Sequence, residues 1–270
     1  MKTIGIVGCG TIGTFLAKRI NKDFKLLARL AGLCDIDEEK AKVLSKKLSK
    51  KIPILSLDQL IEKSDLIIEA ASSSISCNIC KKALTKGKDV MVMSIGGLIK
   101  DYKSLFSLAE KKKATIILPS GAICGLDGLK SAKLANVRKV TLTTRKPPKG
   151  LKGAPYIIEK DIDIDAITGE QVIFEGTAED AVKAFPKNIN VSALLSIAGI
   201  GAKKTRVKIV TSPEYMVNMH ELEVEGDFGR LVSRTENVPS PTNPKTSFLA
   251  PLSALATLKQ ILNPSQKIGT

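Results

Sequence analysis

One histidine, no tryptophan, three tyrosines and seven phenylalanines leave this 270-residue chain short of the usual tools of several function classes. Aromatic residues make up only 4%, too few to stack successive bases, so the net charge of +15 does not read as a nucleic-acid surface. The lysines are scattered, often at helix ends as in Lys81-Lys82 and Lys111-Lys112-Lys113, with no basic stripe interleaved with rings. They describe a solvated surface whose positive field draws in anionic substrates and cofactors. No segment approaches the roughly 20 uninterrupted apolar residues that a membrane span needs. A soluble, cytoplasmic protein with no nucleic-acid or membrane partner is therefore expected. The five cysteines (Cys9, Cys34, Cys77, Cys80, Cys124) form no regular framework, which fits a reducing compartment. Cys77-Asn78-Ile79-Cys80 lacks the second pair or the thioredoxin-like setting that metal or redox chemistry needs, and reads as two thiols one helical turn apart on a buried face. With a lone histidine there is neither a metal-ligand cluster nor a Ser/His/Asp order.

Glycine, by contrast, is placed with purpose. The apolar run Ile4 to Val7 leads into Gly8-Cys9-Gly10-Thr11-Ile12-Gly13, a G-x-G-x-x-G turn between strand and helix. Gly8 allows the tight turn, Gly10 lets a pyrophosphate approach the backbone, and Gly13 lets the helix pack on the strand. The free amides of the first turn, at Thr11 and Ile12, then face the phosphates. Lys2 before an apolar segment also invites a leader-peptide reading, but three glycines interrupt the run and the following sequence continues the same sheet. A second apolar run, Leu26 to Cys34, ends in Asp35, about 22 residues beyond Gly13, where a carboxylate accepts hydrogen bonds from an adenosine ribose. Asp35 favours NAD, because it repels the 2′-phosphate of NADP.

The next strands end in small residues: Asp65 to Glu69 in Ala70-Ala71-Ser72, Val90 to Met93 in Ser94-Ile95-Gly96-Gly97. An expected sixth strand, Ala114 to Leu118, ends in Pro119-Ser120-Gly121-Ala122. Ligands of a parallel sheet bind at the carboxyl ends of its strands, so these positions form a floor on which a flat cofactor can lie. Helix starts are signalled at Asp37, at Ser56 as a capping box, at Asp101 and at Thr177. The fold expected is α/β, a Rossmann-type doubly wound parallel sheet over residues 1–121, plus a second α+β domain with a largely antiparallel sheet over 122–239. Residues 240–270 are expected to hold a C-terminal helix that returns to the first domain. That helix is capped and started at Asn243-Pro244 and kinked or reset by Pro251.

In the second domain Thr205 to Ile209 and Asn218 to Glu225 read as strands; if they pair, Arg206 and Lys208 can meet three glutamates across an outer face. His220 then points inward with Leu222 and Val224. It is the one side chain whose ordinary pKa suits proton transfer near neutral pH, and it is the candidate catalytic group. A satisfied core histidine is the competing reading.

Taken along the chain, Gly8-Cys9-Gly10-Thr11-Ile12-Gly13, Pro119 to Asp127, Thr144-Arg145-Lys146-Pro147-Pro148, Phe185 to Val191, Asn218-Met219-His220-Glu221 and Ser240 to Ser247 resemble the L-aspartate dehydrogenases. The resemblance spans nearly the whole chain. It implies NAD(P)-dependent oxidation of L-aspartate to iminoaspartate, used in making NAD or hydrolysed to oxaloacetate and ammonia. It also implies cofactor contacts at Ala122 and Asn188, an active-site histidine at His220, and a homodimer built through the second domain's sheet; NADP is implied as a possible cofactor beside NAD. A substrate with two carboxylates needs cations, for which Arg145, Lys187, Arg230, Arg234 and Lys245 are candidates. The nearest rivals share the architecture: a homoserine dehydrogenase or a dihydrodipicolinate reductase. A non-catalytic dinucleotide sensor or a basic nucleic-acid binder is the rival of another class.

Overall fold

A computed structural model describes residues 1–186, 189–241, 243–265 and 269, with Pro244 and Lys245 described by their backbone only. Two compact units divide the chain, one of Met1–Pro119 with the segment from Pro251, the other of Ser120–Ala250.

The first unit alternates strands and helices: β1 (Lys2–Val7), α1 (Thr11–Asp23), β2 (Ala28–Cys34), α2 (Glu38–Lys46), α3 (Leu57–Glu62), β3 (Leu66–Glu69), α4 (Ser73–Thr85), β4 (Asp89–Val92), α5 (Tyr102–Lys112) and β5 (Ile116–Ile117). The five strands are parallel in the order β2-β1-β3-β4-β5. Their continuous apolar runs follow from burial on both faces: Ile4, Ile6, Ile67, Ile68, Val90 and Met91 are fully inaccessible. The segment expected as a sixth strand is thus the fifth, and only two residues of it pair. β2 also starts later than its apolar run, because Leu26 and Leu27 lie on the surface. Ser56 closes the anticipated capping box with Gln59, whereas Asp37 and Asp101 head their helices without a side-chain cap. The order of strands reverses at β1, so the carboxyl ends of β1 and β3 meet at a topological switch point, the usual place for a ligand in such sheets.

The second unit contains α6 (Leu126–Ala132), β6 (Val137–Lys146), α7 (Pro155–Glu159), β7 (Gln171–Thr177), α8 (Ala178–Ala184), α9 (Asn190–Ala198), β8 (Arg206–Thr211), β9 (Asn218–Gly226), β10 (Gly229–Asn237), β11 (Pro239–Ser240) and β12 (Asn243–Ser247). Its main sheet runs β10-β9-β6-β8-β7. β6 lies antiparallel to β9 and parallel to β8, so it separates the two strands whose pairing would have set Arg206 and Lys208 against the glutamates. The glutamates of β9 consequently meet cations of β6 and β10 instead of Arg206 and Lys208: Lys139 reaches Glu223 and Glu225, Arg230 binds Glu223, and Arg145 approaches Glu221. α9 is apolar nearly all round, and six of its residues are buried. Phe174, Phe185 and Tyr156 pack edge to face or tilted between β7, α7 and α8, with centroids 5.4–5.6 Å apart.

The last helix, α10 (Leu249–Leu262), begins five residues later than the start expected at Asn243-Pro244. Those residues pair as β12 with β11. Pro251 falls in the first turn of α10, where its missing N–H has no carbonyl to lose. Ala254 and Leu258 then join the core formed by Ile4, Leu16 and Ile20.

Candidate active site

At the switch point the three glycines have separate physical reasons. Gly8 holds φ +95°, and a Cβ there would strike the carbonyl of Ala70. A Cβ on Gly13 would overlap the carbonyl oxygen of Gly8. Gly10 is different, because nothing lies within 4 Å of where its Cβ would stand. The space above Gly10 is open at the head of α1, whose first-turn amides, from Thr11 through Ile12 to Gly13, have no carbonyl one turn back. That turn contains no acidic side chain to compete for them. Open space, free amides and the positive end of a thirteen-residue helix fit a pyrophosphate.

Asp35 follows β2 and accepts hydrogen bonds from the amides of Cys9 (2.6 Å) and Asp37 (2.9 Å). A carboxylate has about four acceptor positions, so these two bonds orient it and leave others for a ribose diol. Burial and the Asp35 charge push the Cys9 thiol up to about 12 and raise Cys34 as well, so both stay protonated neighbours. Ala70, Ala71 and Ser72 connect β3 to α4. The Ala71 amide donates to Glu69 Oε1 (2.8 Å) and the Ser94 amide to Glu69 Oε2 (2.9 Å), so one buried carboxylate ties the ends of β3 and β4 together. Desolvation raises the Glu69 pKa, and its amide bonds oppose that rise. Sequence reading gave Glu69 no role; its signal was an acid closing the otherwise apolar run Leu66-Ile67-Ile68. Ser72 heads α4 without capping it and shares a hydrogen bond with Ser74. Of the two thiols expected on a buried face, Cys80 is buried and pushed up to about 12, whereas Cys77 is only half-buried and contacts Asp101. Among the described residues no group of His, Cys, Asp and Glu could hold a metal.

In the second unit, Ala122 is fixed by its carbonyl, which accepts from Thr235 Oγ1 (2.9 Å) and Asn237 Nδ2 (3.0 Å) on β10. Asn188 and Lys187 lie outside the described residues, as does the side chain of Lys245. His220 stands opposite Thr144 of β6 and Thr235 of β10, and it is buried. Nδ1 and Thr144 Oγ1 are 3.0 Å apart, a hydrogen bond whose direction follows the tautomer. Among the described residues Nε2 has no hydrogen-bond partner. Burial, and after it the charge of Lys146, push the imidazole down to about 3. His220 is therefore neutral at pH 7, with a ring nitrogen able to accept a proton.

The same shift makes a stability prediction. The folded pKa lies below the unfolded value of about 6.5, so the unfolded chain alone takes up this proton as pH falls, and stability drops between about pH 6.5 and 3. The slope from this one group is at most ~1.4 kcal/mol per pH unit. Denaturant titrations from pH 7 to 4 should show a shallower fall for His220→Asn than for the parent; equal slopes would count against a neutral buried imidazole.

Alternation along β6 and β10 settles where three candidate cations go. Arg145 is one residue from Thr144, and Arg230 and Arg234 are offset by odd steps from Thr235, so all three occupy the face opposite His220. Arg230 and Arg234 bind Glu223 and Glu236 there, and Arg145 approaches Glu221.

A parallel sheet with this glycine turn at its switch point, joined to an α+β unit, defines a pyridine-nucleotide oxidoreductase of the Rossmann type. Two family profiles divide the chain between them: "Homoserine dehydrogenase, NAD binding domain" over residues 8–119 and "Aspartate dehydrogenase, C-terminal" over residues 127–261. An L-aspartate dehydrogenase of Methanosarcina mazei is 48% identical over the full length of both chains. The crystal structure of the aspartate dehydrogenase of Thermotoga maritima, 28% identical, covers 100% of this chain and 99% of its own with a TM-score of 0.73. A hyperthermophilic archaeal homoserine dehydrogenase in complex with NADPH, 14% identical with a TM-score of 0.60, shares the fold alone. The chain belongs to the L-aspartate dehydrogenase family.

Proposed function

We propose that the chain oxidises L-aspartate to iminoaspartate, that the imine serves NAD biosynthesis or hydrolyses to oxaloacetate and ammonia, and that NAD is preferred while NADP is accepted. The observation that carries this reading is His220, the one imidazole, held by Thr144 at Nδ1, with no partner for Nε2 among the described residues and without charge at neutral pH. With Nδ1–H donating to Thr144 Oγ1, Nε2 keeps its lone pair and takes a proton from the substrate ammonium. The freed amine pair can then form the C=N bond as the Cα–H bond breaks. A bound nicotinamide supplies the acceptor for that hydride. The two negative carboxylates of aspartate favour the imidazolium, so substrate raises the basicity that burial has lowered.

Gly8, Gly10, Thr11, Ile12 and Gly13 bind the pyrophosphate in this reading, Asp35 the ribose, and Ala70, Ala71 and Ser72 with Ala122 and Asn188 the remainder of the cofactor. The chain is further taken to work as a homodimer through the outer face of β9 and β10, where Val232 is exposed among charges. Among the described residues no helix is long and apolar enough to cross a membrane.

Purified protein should reduce NAD with L-aspartate and should oxidise NADH with oxaloacetate and ammonia. Reduction with homoserine and none with L-aspartate would overturn the reading. Cofactor choice has its own test. Asp35→Asn keeps an acceptor for the Cys9 amide but drops the charge and the acceptor of the Asp37 amide, so NAD affinity should fall about 10-fold while NADP affinity rises, as read in competing titrations. An unchanged NAD to NADP ratio would remove Asp35 from cofactor selection.

A further inference from the structure

We propose that Lys146, not an arginine, is the cation that holds a carboxylate of the substrate beside His220. The inference rests on the reading of His220 as the proton acceptor. Thr144 and Lys146 are two residues apart on β6, and successive side chains alternate, so both project from the face that carries His220. Two steps along a strand span roughly 7 Å. A four-methylene stem covers that distance, and the α-carboxylate of an amino acid lies only two bonds from the nitrogen that His220 would deprotonate. The arginines that could have served lie on the opposite face against Glu221, Glu223 and Glu236.

Burial is the second observation. Lys146 is 7% exposed, although lysine is among the residues least often taken out of water. Burial pushes its ammonium down to about 8, which leaves it largely charged at pH 7. An ammonium has three donors, so a contact within the fold leaves others for a ligand. Leu151 and Phe185, which with Lys146, Thr144 and Ser192 close a void of about 10 Å³, also wall an open cavity of about 520 Å³ between Lys149–Pro155, Pro186, Asn243 and Thr246. The Lys146 side chain thus lines a void that only Leu151 and Phe185 separate from space that admits a four-carbon diacid.

The test uses succinate, which has both carboxylates but no amine to oxidise, as an inhibitor competitive with L-aspartate. Lys146→Met, close in volume and uncharged, should weaken succinate inhibition and raise the KM for L-aspartate about 30-fold, while NADH affinity by calorimetry stays within twofold. Lys146→Arg should recover part of the loss. Should Lys146→Met fail to fold by circular dichroism, Lys146→Gln takes its place with the same expectation. Succinate inhibition within twofold of the parent in a folded variant overturns the assignment, and so does a loss shared equally by NADH, which marks a structural lysine. Succinate binding does not involve proton transfer, so a failure here is distinct from a failure of His220, which shows as normal turnover in a His220 variant.

Discussion

Gly13→Ala is expected to reduce NADH affinity by more than about 10²-fold and to lower the thermal midpoint by several degrees. The added methyl would overlap the carbonyl oxygen of Gly8, a backbone atom that cannot rotate aside, so α1 must move off β1. That displacement disturbs the first-turn amides and the packing of Leu16, Ala17 and Ile20 together. Gly10→Ala separates the two effects. Nothing lies within 4 Å of its new methyl, so the fold should keep its stability, yet the methyl occupies the space proposed for the pyrophosphate. Calorimetric titration with NADH and a melting curve on both variants check this. A Gly10→Ala protein that binds NADH as the parent does would place the cofactor elsewhere.

His220→Ala should lower turnover of L-aspartate by about 10²-fold or more and leave NADH affinity unchanged. The chain has no second histidine to take over the role. The neighbouring Thr144 hydroxyl is far too weak a base to replace it. The same removal leaves a cavity beside Leu222 and Thr144, so the midpoint of unfolding is expected to fall moderately. Turnover within a few fold of the parent would return His220 to the status of a core residue.

The first unit was readable from sequence because its decisive contacts are local. Strand, glycine turn, helix and the acid after β2 follow one another within 35 residues, and each position has a steric or electrostatic reason that does not depend on distant parts of the chain. The second unit was readable only in its elements. Thr205 to Ile209 and Asn218 to Glu225 are strands, and their alternation put His220 on the buried face. Alternation cannot say which strand lies next to which. β6 inserts between them, and its order in the sheet is set by pairings between residues some 60 to 90 positions apart. That insertion changed which cations meet the glutamates. It also bears on substrate recognition: in Thr144-Arg145-Lys146 the strand turns the candidate cation Arg145 toward Glu221 and leaves Lys146 on the face of His220. Pro244 as a helix start was overridden by pairing of β12 with β11.

A single histidine allows the central claim, a neutral imidazole poised to take the substrate's proton, to be measured without assignment. In protein labelled with ¹⁵N-histidine, the one pair of ring nitrogens should stay neutral from pH 8 down to about 4, and the Nε2 resonance should move when a substrate analogue is added with NADH. Ordinary titration near pH 6.5, with ring resonances indifferent to ligand, would contradict the account.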